Sequence, residues 1–147
     1  MERTSGIGFL AAALLISVSC AASPAAQEKH ATAAPIENSE WRLMEVRNRK
    51  VTAPPGRAST LQLLAEGRRA VGNGGCNRFG GTYTLEGARM RFGALVSTKM
   101  FCEGVMEQEQ AFLDALSATM GYRIEGDDLE LLGPDGALAR LQARSER

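Results

Sequence analysis

From Trp41 onward, apolar and polar residues alternate in short runs broken by glycine, proline and acidic turns. In "WRLMEVR" (41–47), Trp41 and Leu43 share one face, and Met44 and Glu45 compete for the next inward place. That spacing predicts a strand with an imperfect period of two. Pro54-Pro55-Gly56 ends it, because proline has no N–H for a ladder. "STLQLLAEGRRAVG" (59–72) predicts a strand, a turn at Glu66-Gly67 and a second short strand. "GTYTLEGARMRFGAL" (81–95) predicts a hairpin turning at Glu86-Gly87, with Met90 and Phe92 answering Tyr83 and Leu85 across it. "YRIEGDDLELLGPDGALARLQA" (122–143) repeats the pattern. Its turns fall at Gly126-Asp127-Asp128 and Pro134-Asp135-Gly136, and Leu129, Leu131, Leu138 and Leu141 are available for a core.

One segment changes period. "VMEQEQAFLDALSATMGY" (105–122) spaces Val105, Phe112, Leu116 and Met120 by seven, four and four, with polar residues mostly opposite. This predicts an amphipathic helix over about 105–120, capped at its C-terminus by Gly121, that closes one end or face of the sheet. Strands, one helix, then more strands define an α+β fold: a curled antiparallel β-sheet or small open barrel with one helix. Without alternating strands and long helices, a parallel α/β fold is disfavoured.

The first forty residues follow other rules. The apolar run Ile7–Val18 behind Arg3 is too short to span a bilayer and has the length of a signal-peptide core. Ser17-Val18-Ser19-Cys20 resembles the bacterial lipobox, with Ser17 where leucine is usual. The expected organisation is therefore a signal peptide (1–19), a lipidated Cys20 with a flexible linker (20–38), and a folded domain (39–147). An ordinary secretory signal cut near Ala22, leaving a soluble periplasmic protein, is the alternative. Ala21 in place of the aspartate that retains many lipoproteins in the inner membrane favours the outer membrane. The linker, "AASPAAQEKHATAAPIENSE", is rich in alanine and small polar residues with no apolar period.

Charge narrows the function classes. Seventeen basic and seventeen acidic residues cancel, so no net field draws the protein to nucleic acid. The single histidine, His30, lies in the linker, which removes the usual general base and a common metal ligand from the domain.

"NGGCNRFGGTY" (73–83) invites functional readings. A phosphate loop needs a Lys-Ser/Thr pair leading into a helix, and here a strand follows. A thiol nucleophile at Cys76 lacks a histidine base, leaving only activation by Arg78 or Arg91. Cys76 and Cys102 alone cannot complete a metal site. With Cys20 acylated, these two cysteines form an even pair in an oxidising compartment, where they are expected to bridge. The bridge would close a loop of about 27 residues, worth roughly 3–4 kcal/mol. Gly74 and Gly75 are then expected to supply positive backbone angles, Gly80-Gly81 a bulge or close strand approach, and Asn77 a bond to nearby turn backbone.

"GNGGCNRFGGTYTLEG", "LVSTKMFCEG" and the helix segment "EQAFLDAL" together resemble the META domain family, to which the heat-inducible HslJ-type bacterial envelope proteins belong. The resemblance runs from about Trp41 to Leu141. It rests on Trp41, Gly75, Cys76, Asn77, Phe79, Gly81, Tyr83, Thr98, Met100, Cys102, Glu109, Phe112 and Leu116. It implies a β-rich fold with one helix and a role such as heat-stress response without catalysis, in line with the residues themselves, which offer no metal set and call for no cofactor. The expected function is that of a non-enzymatic, periplasm-facing envelope lipoprotein that binds another envelope protein. One alternative is a carrier of a small apolar ligand lined by Met44, Leu63, Phe92 and Leu131. A weaker one is an inhibitor of a secreted hydrolase, acting through a loop at Arg78 or "TKMF".

Overall fold

The computed structural model describes residues 33–144. The expected signal peptide, Cys20 and the linker as far as residue 32 lie outside the described residues.

Among the described residues, ten strands and one α-helix follow in the order β1 (Glu40–Val46), β2 (Arg49–Lys50), β3 (Thr60–Leu64), β4 (Arg69–Asn73), β5 (Arg78–Glu86), β6 (Arg89–Phe92), β7 (Val96–Ser97), α1 (Met106–Ala118), β8 (Gly121–Glu125), β9 (Asp128–Gly133) and β10 (Gly136–Ala143), with a single 3₁₀ turn (Glu66–Arg68) between β3 and β4. Neighbours pair antiparallel in the sequence β10-β9-β8-β6-β5-β4-β3-β1, and β10 pairs back onto β1, so the sheet curls into a ring. The ring is unevenly zipped: β6 and β8 meet at the single pair Arg89–Gly121. The fold is thus the curled antiparallel sheet with one helix that the periodicity predicts.

Because the main strands run up and down, their connections fall alternately at two poles. The β3–β4, β5–β6 and β8–β9 turns lie at one pole. The other carries the β4–β5 loop, the β9–β10 turn and the long β6–β8 connection with β7 and α1. The chain enters β1 at the first pole.

Trp41, Leu43, Leu61, Leu63, Tyr83, Met90, Phe112, Leu116, Leu129, Leu131 and Leu141 fill the ring interior, each at most 2% exposed. Burying each large apolar side chain contributes about 1.5–3 kcal/mol. A bulge between Leu43 and Glu45 explains the broken alternation of β1. It moves the next inward place from Glu45 to Val46 and leaves Met44 outside. A second bulge, between Ala137 and Ala139, puts Ala139 in the core and leaves Leu138, an expected core residue, only half-buried.

The helix stops earlier than the pattern predicts. Thr119, extended at φ −64° and ψ 131°, breaks it after Ala118, while its hydroxyl donates to Ala115 O at 2.8 Å. Gly121 opens β8 and is no C-terminal cap, and Met120 is 44% exposed instead of extending the apolar stripe. Packing against the strands sets the helix length, since the stripe has done its work by Leu116.

Ordered contacts begin before residue 39. Ala34 N donates to Gly126 O (2.9 Å), Asn38 N to Leu63 O (2.7 Å) and Trp41 Nε1 to Ile36 O (3.1 Å). Ala34 and Ile36 pack against the core. Ala34, inside the expected linker (20–38), is therefore already part of the folded domain.

Candidate functional site

At the helix-bearing pole, three stretches distant in sequence are tied together. Glu109, in the first turn of α1, is 4% exposed and points inward. Its Oε2 accepts from Cys76 N at 2.9 Å and Asn77 N at 2.6 Å, and its Oε1 accepts from Asn77 Nδ2 at 2.6 Å. Burying a carboxyl group is costly unless its oxygens are hydrogen-bonded, and here both are.

Asn77, 2% exposed, carries the connection onward. Its Nδ2 also donates to Met100 O at 3.0 Å, and its Oδ1 accepts from Met100 N at 2.7 Å and Thr98 Oγ1 at 2.8 Å. All four hydrogen-bonding positions of the amide are thus filled. The expected local turn bond is replaced by a tie reaching 23 residues along the chain. Cys76 is disulfide-bonded to Cys102, with Cα atoms 5.8 Å apart. Loop 94–104 is therefore held both covalently and by hydrogen bonds.

The glycines serve this packing in different ways. Gly75 has φ +121°, a conformation that favours glycine. Gly74 lacks the positive angle expected of it. Its requirement is space, because a Cβ there would lie 2.4 Å from Glu109 Cγ. The β4–β5 register runs unbroken through Gly80 and Gly81, so there is no bulge. Gly81 instead permits close approach, a Cβ meeting Ala94 O at 2.7 Å. Ser59, fully buried, donates to Gly74 O at 2.7 Å and fixes the loop's far side. Phe79 stacks edge-on against Phe112, centroids 5.9 Å apart, joining loop to helix.

The locked loop displays apolar side chains to solvent: Val96 is 72% exposed, Met100 56% and Phe101 81%. Single exposed apolar residues are ordinary, but three on one rigid segment are not.

The structure thus brings together Gly75, Cys76, Asn77, Phe79, Gly81, Thr98, Met100 and Cys102. Tyr83 stands apart toward the opposite pole, where its hydroxyl meets Glu37 and Leu64 O. Burial, then the Glu37 hydrogen bond and charge, push its pKa up to about 12, against the lesser opposing effect of Arg68. Residue-by-residue chemistry gave no role to Ser59 or Glu109. Glu109 did leave a signal: it falls on the apolar stripe between Val105 and Phe112.

The class defined by this geometry is a small ring-shaped α+β domain with a helix and a bridged loop at one pole. The chain belongs to the META domain family, whose model matches residues 34–146. No curated protein matches it. It is similar to a protein from Burkholderia xenovorans solved by NMR, at 26% identity and TM-score 0.61, over 76% of this chain and 85% of that one. A second NMR structure, 17% identical, shares the fold with TM-score 0.60 over 73% of this chain and 90% of that one.

Proposed function

We propose that this META domain is a non-enzymatic binding module of the bacterial cell envelope that serves envelope maintenance under stress. Acylated at Cys20, it is anchored to the outer membrane and faces the periplasm. The observation that carries this reading is the loop bearing Val96, Met100 and Phe101, held by Asn77 and the Cys76–Cys102 bridge. A preformed apolar surface binds a partner with little ordering cost. It also lies at the pole opposite the one where the chain enters β1.

The apolar-carrier reading draws less support. Leu63 and Leu131 are fully buried in the core, whereas Met44 is 46% exposed outside the ring. These side chains do not line a common space.

Two measurements test the proposal. The intact mass of protein from native envelopes is expected to begin at Cys20 with acyl chains; a start near Ala22 removes the anchor. A photocrosslinking residue at Phe101 is expected to give a discrete protein adduct in intact envelopes, and one at exposed Glu66, at the other pole, none. Equal labelling from both positions would defeat the binding assignment.

A further inference from the structure

Strand β7 is two residues long and pairs with β5 alone, through Phe79–Ser97 and Gly80–Val96. The ladder continues beyond it. Thr98 N donates to Arg78 O at 3.1 Å, and Met100 is bonded through both N and O to the Asn77 amide, which takes the place of another strand residue. Successive residues of an antiparallel strand turn their main-chain groups to opposite edges. Those of Thr98 and Met100 face β5 and Asn77, so those of Ser97 and Lys99 face the other way. No second strand covers that edge among the described residues.

Along this segment runs a groove of about 460 Å³, with α1 as its other wall. Leu95, Met100 and Phe101 line one side, and Met106, Leu113 and Ser117 the other. An open strand edge beside a helix, with apolar side chains interleaved with Lys99 on the strand and with Gln110 and Asp114 on the helix, suits a peptide that adds as a strand. Main-chain bonds supply affinity and the groove reads alternate side chains.

We propose that this groove binds an extended segment of another envelope polypeptide, with apolar residues at alternate positions, by strand addition, hydrogen-bonded to the main chain of Ser97 and Lys99. The inference rests on the binding-module reading above and names the kind of partner. The occupant is assigned to a polypeptide because the free edge offers main-chain donors and acceptors at strand spacing, which an acyl chain cannot match. It is assigned to another polypeptide because residues 21–32 of this chain are alanine-rich and polar, with no apolar alternation to fill the groove.

The probe is a phage-displayed library of random seven-residue peptides, selected against the full chain. A selected peptide is then titrated by NMR. Enrichment of alternating apolar sequences is expected, with amide shifts confined to Leu95–Phe101 and the facing residues of α1. Lys99→Pro removes the outward N–H while keeping the β5 ladder, and is expected to weaken binding about tenfold or more. Lys99→Ala keeps the main chain and is expected to change it less than about twofold. Ser117→Glu, which places a charge at an exposed position of the helix wall without touching the strand edge, is expected to weaken binding at least about tenfold and covers the case in which Lys99→Pro does not fold.

Equal losses from Lys99→Ala and Lys99→Pro would overturn strand addition in favour of side-chain recognition. Failure to enrich a peptide that shifts the groove would overturn it outright. Binding to phosphatidylethanolamine–phosphatidylglycerol vesicles that Phe101→Ser abolishes and Lys99→Pro spares would assign the surface to lipid. If peptides fail while Phe101 still crosslinks a protein in envelopes, only the strand-addition mode is lost. If neither occurs, the binding-module reading fails with it.

Discussion

The two poles of the ring solve the same problem by different means. At the entry pole, the segment before β1 is held by exchangeable contacts: main-chain bonds to Gly126 and Leu63, and the Tyr83–Glu37 hydrogen bond with Arg68 beside it. At the helix pole, a buried carboxyl group, a saturated amide and a disulfide hold the loop. The first arrangement is partly open to solvent and sensitive to alkali. The second is buried, and each member depends on the others. Rigidity is thus concentrated beneath the exposed apolar loop, where a binding surface gains from it.

The largest expected effect comes from removing the centre of the second arrangement. Glu109→Leu leaves Cys76 N, Asn77 N and Asn77 Nδ2 without their acceptors. Three orphaned buried donors should cost about 3–5 kcal/mol, a large share of a domain's total. Denaturant unfolding measures this, and a loss below about 1 kcal/mol would show that water replaces the carboxyl group. Next is the bridge. The double variant Cys76→Ser/Cys102→Ser should lose roughly 3–4 kcal/mol by the chain-entropy account. With Asn77 still in place, amide exchange at Thr98 and Met100 should remain slower than in Asn77→Ala.

At the entry pole the effects are smaller. Tyr83→Phe removes one hydrogen bond to Glu37, at a cost of about 1 kcal/mol. The folded phenol keeps its proton to about pH 12, whereas an unfolded tyrosine releases it near pH 10. The associated stabilisation is therefore complete below about pH 10 and lost as pH rises toward 12. The Tyr83→Phe variant should lack this alkaline decline, and unchanged curves would detach Tyr83 from it. The smallest effect is expected at the exposed loop. Phe101→Ser should change stability by less than about 0.5 kcal/mol, since Phe101 is 81% exposed, while removing the envelope adduct formed by a photocrosslinking residue placed at Val96 on the same loop. A large loss of stability there would make the loop part of the core and end the contrast.

How much was legible beforehand depended on distance along the chain. The hairpin at Glu86-Gly87 was readable because apolar alternation and a turn glycine are neighbours; Tyr83 pairs with Phe92 and Leu85 with Met90. The Cys76–Cys102 pairing followed from cysteine number and the expected compartment. The role of Asn77 did not, since a turn asparagine gives no sign that its partners lie at Thr98 and Met100. Gly74 was misread for a related reason: its constraint comes from a glutamate on a helix, outside the local backbone. Met44 and Leu138 show the same limit in strands. A bulge shifts the inward face by one residue, and the partner strand decides where the bulge falls.

The sequence by itself determined the period of each segment, the turns between them, a single amphipathic helix and the family. Those depend on steric and hydrophobic preferences acting over a few residues. Only the tertiary structure decided that β10 closes onto β1, that Glu109 turns into the β4–β5 loop, and that the locked loop stands opposite the chain's entry. A pattern names the face that must be buried but not the face that meets it. Buried hydrogen-bonding groups likewise take their partners from whatever the closed ring brings within reach.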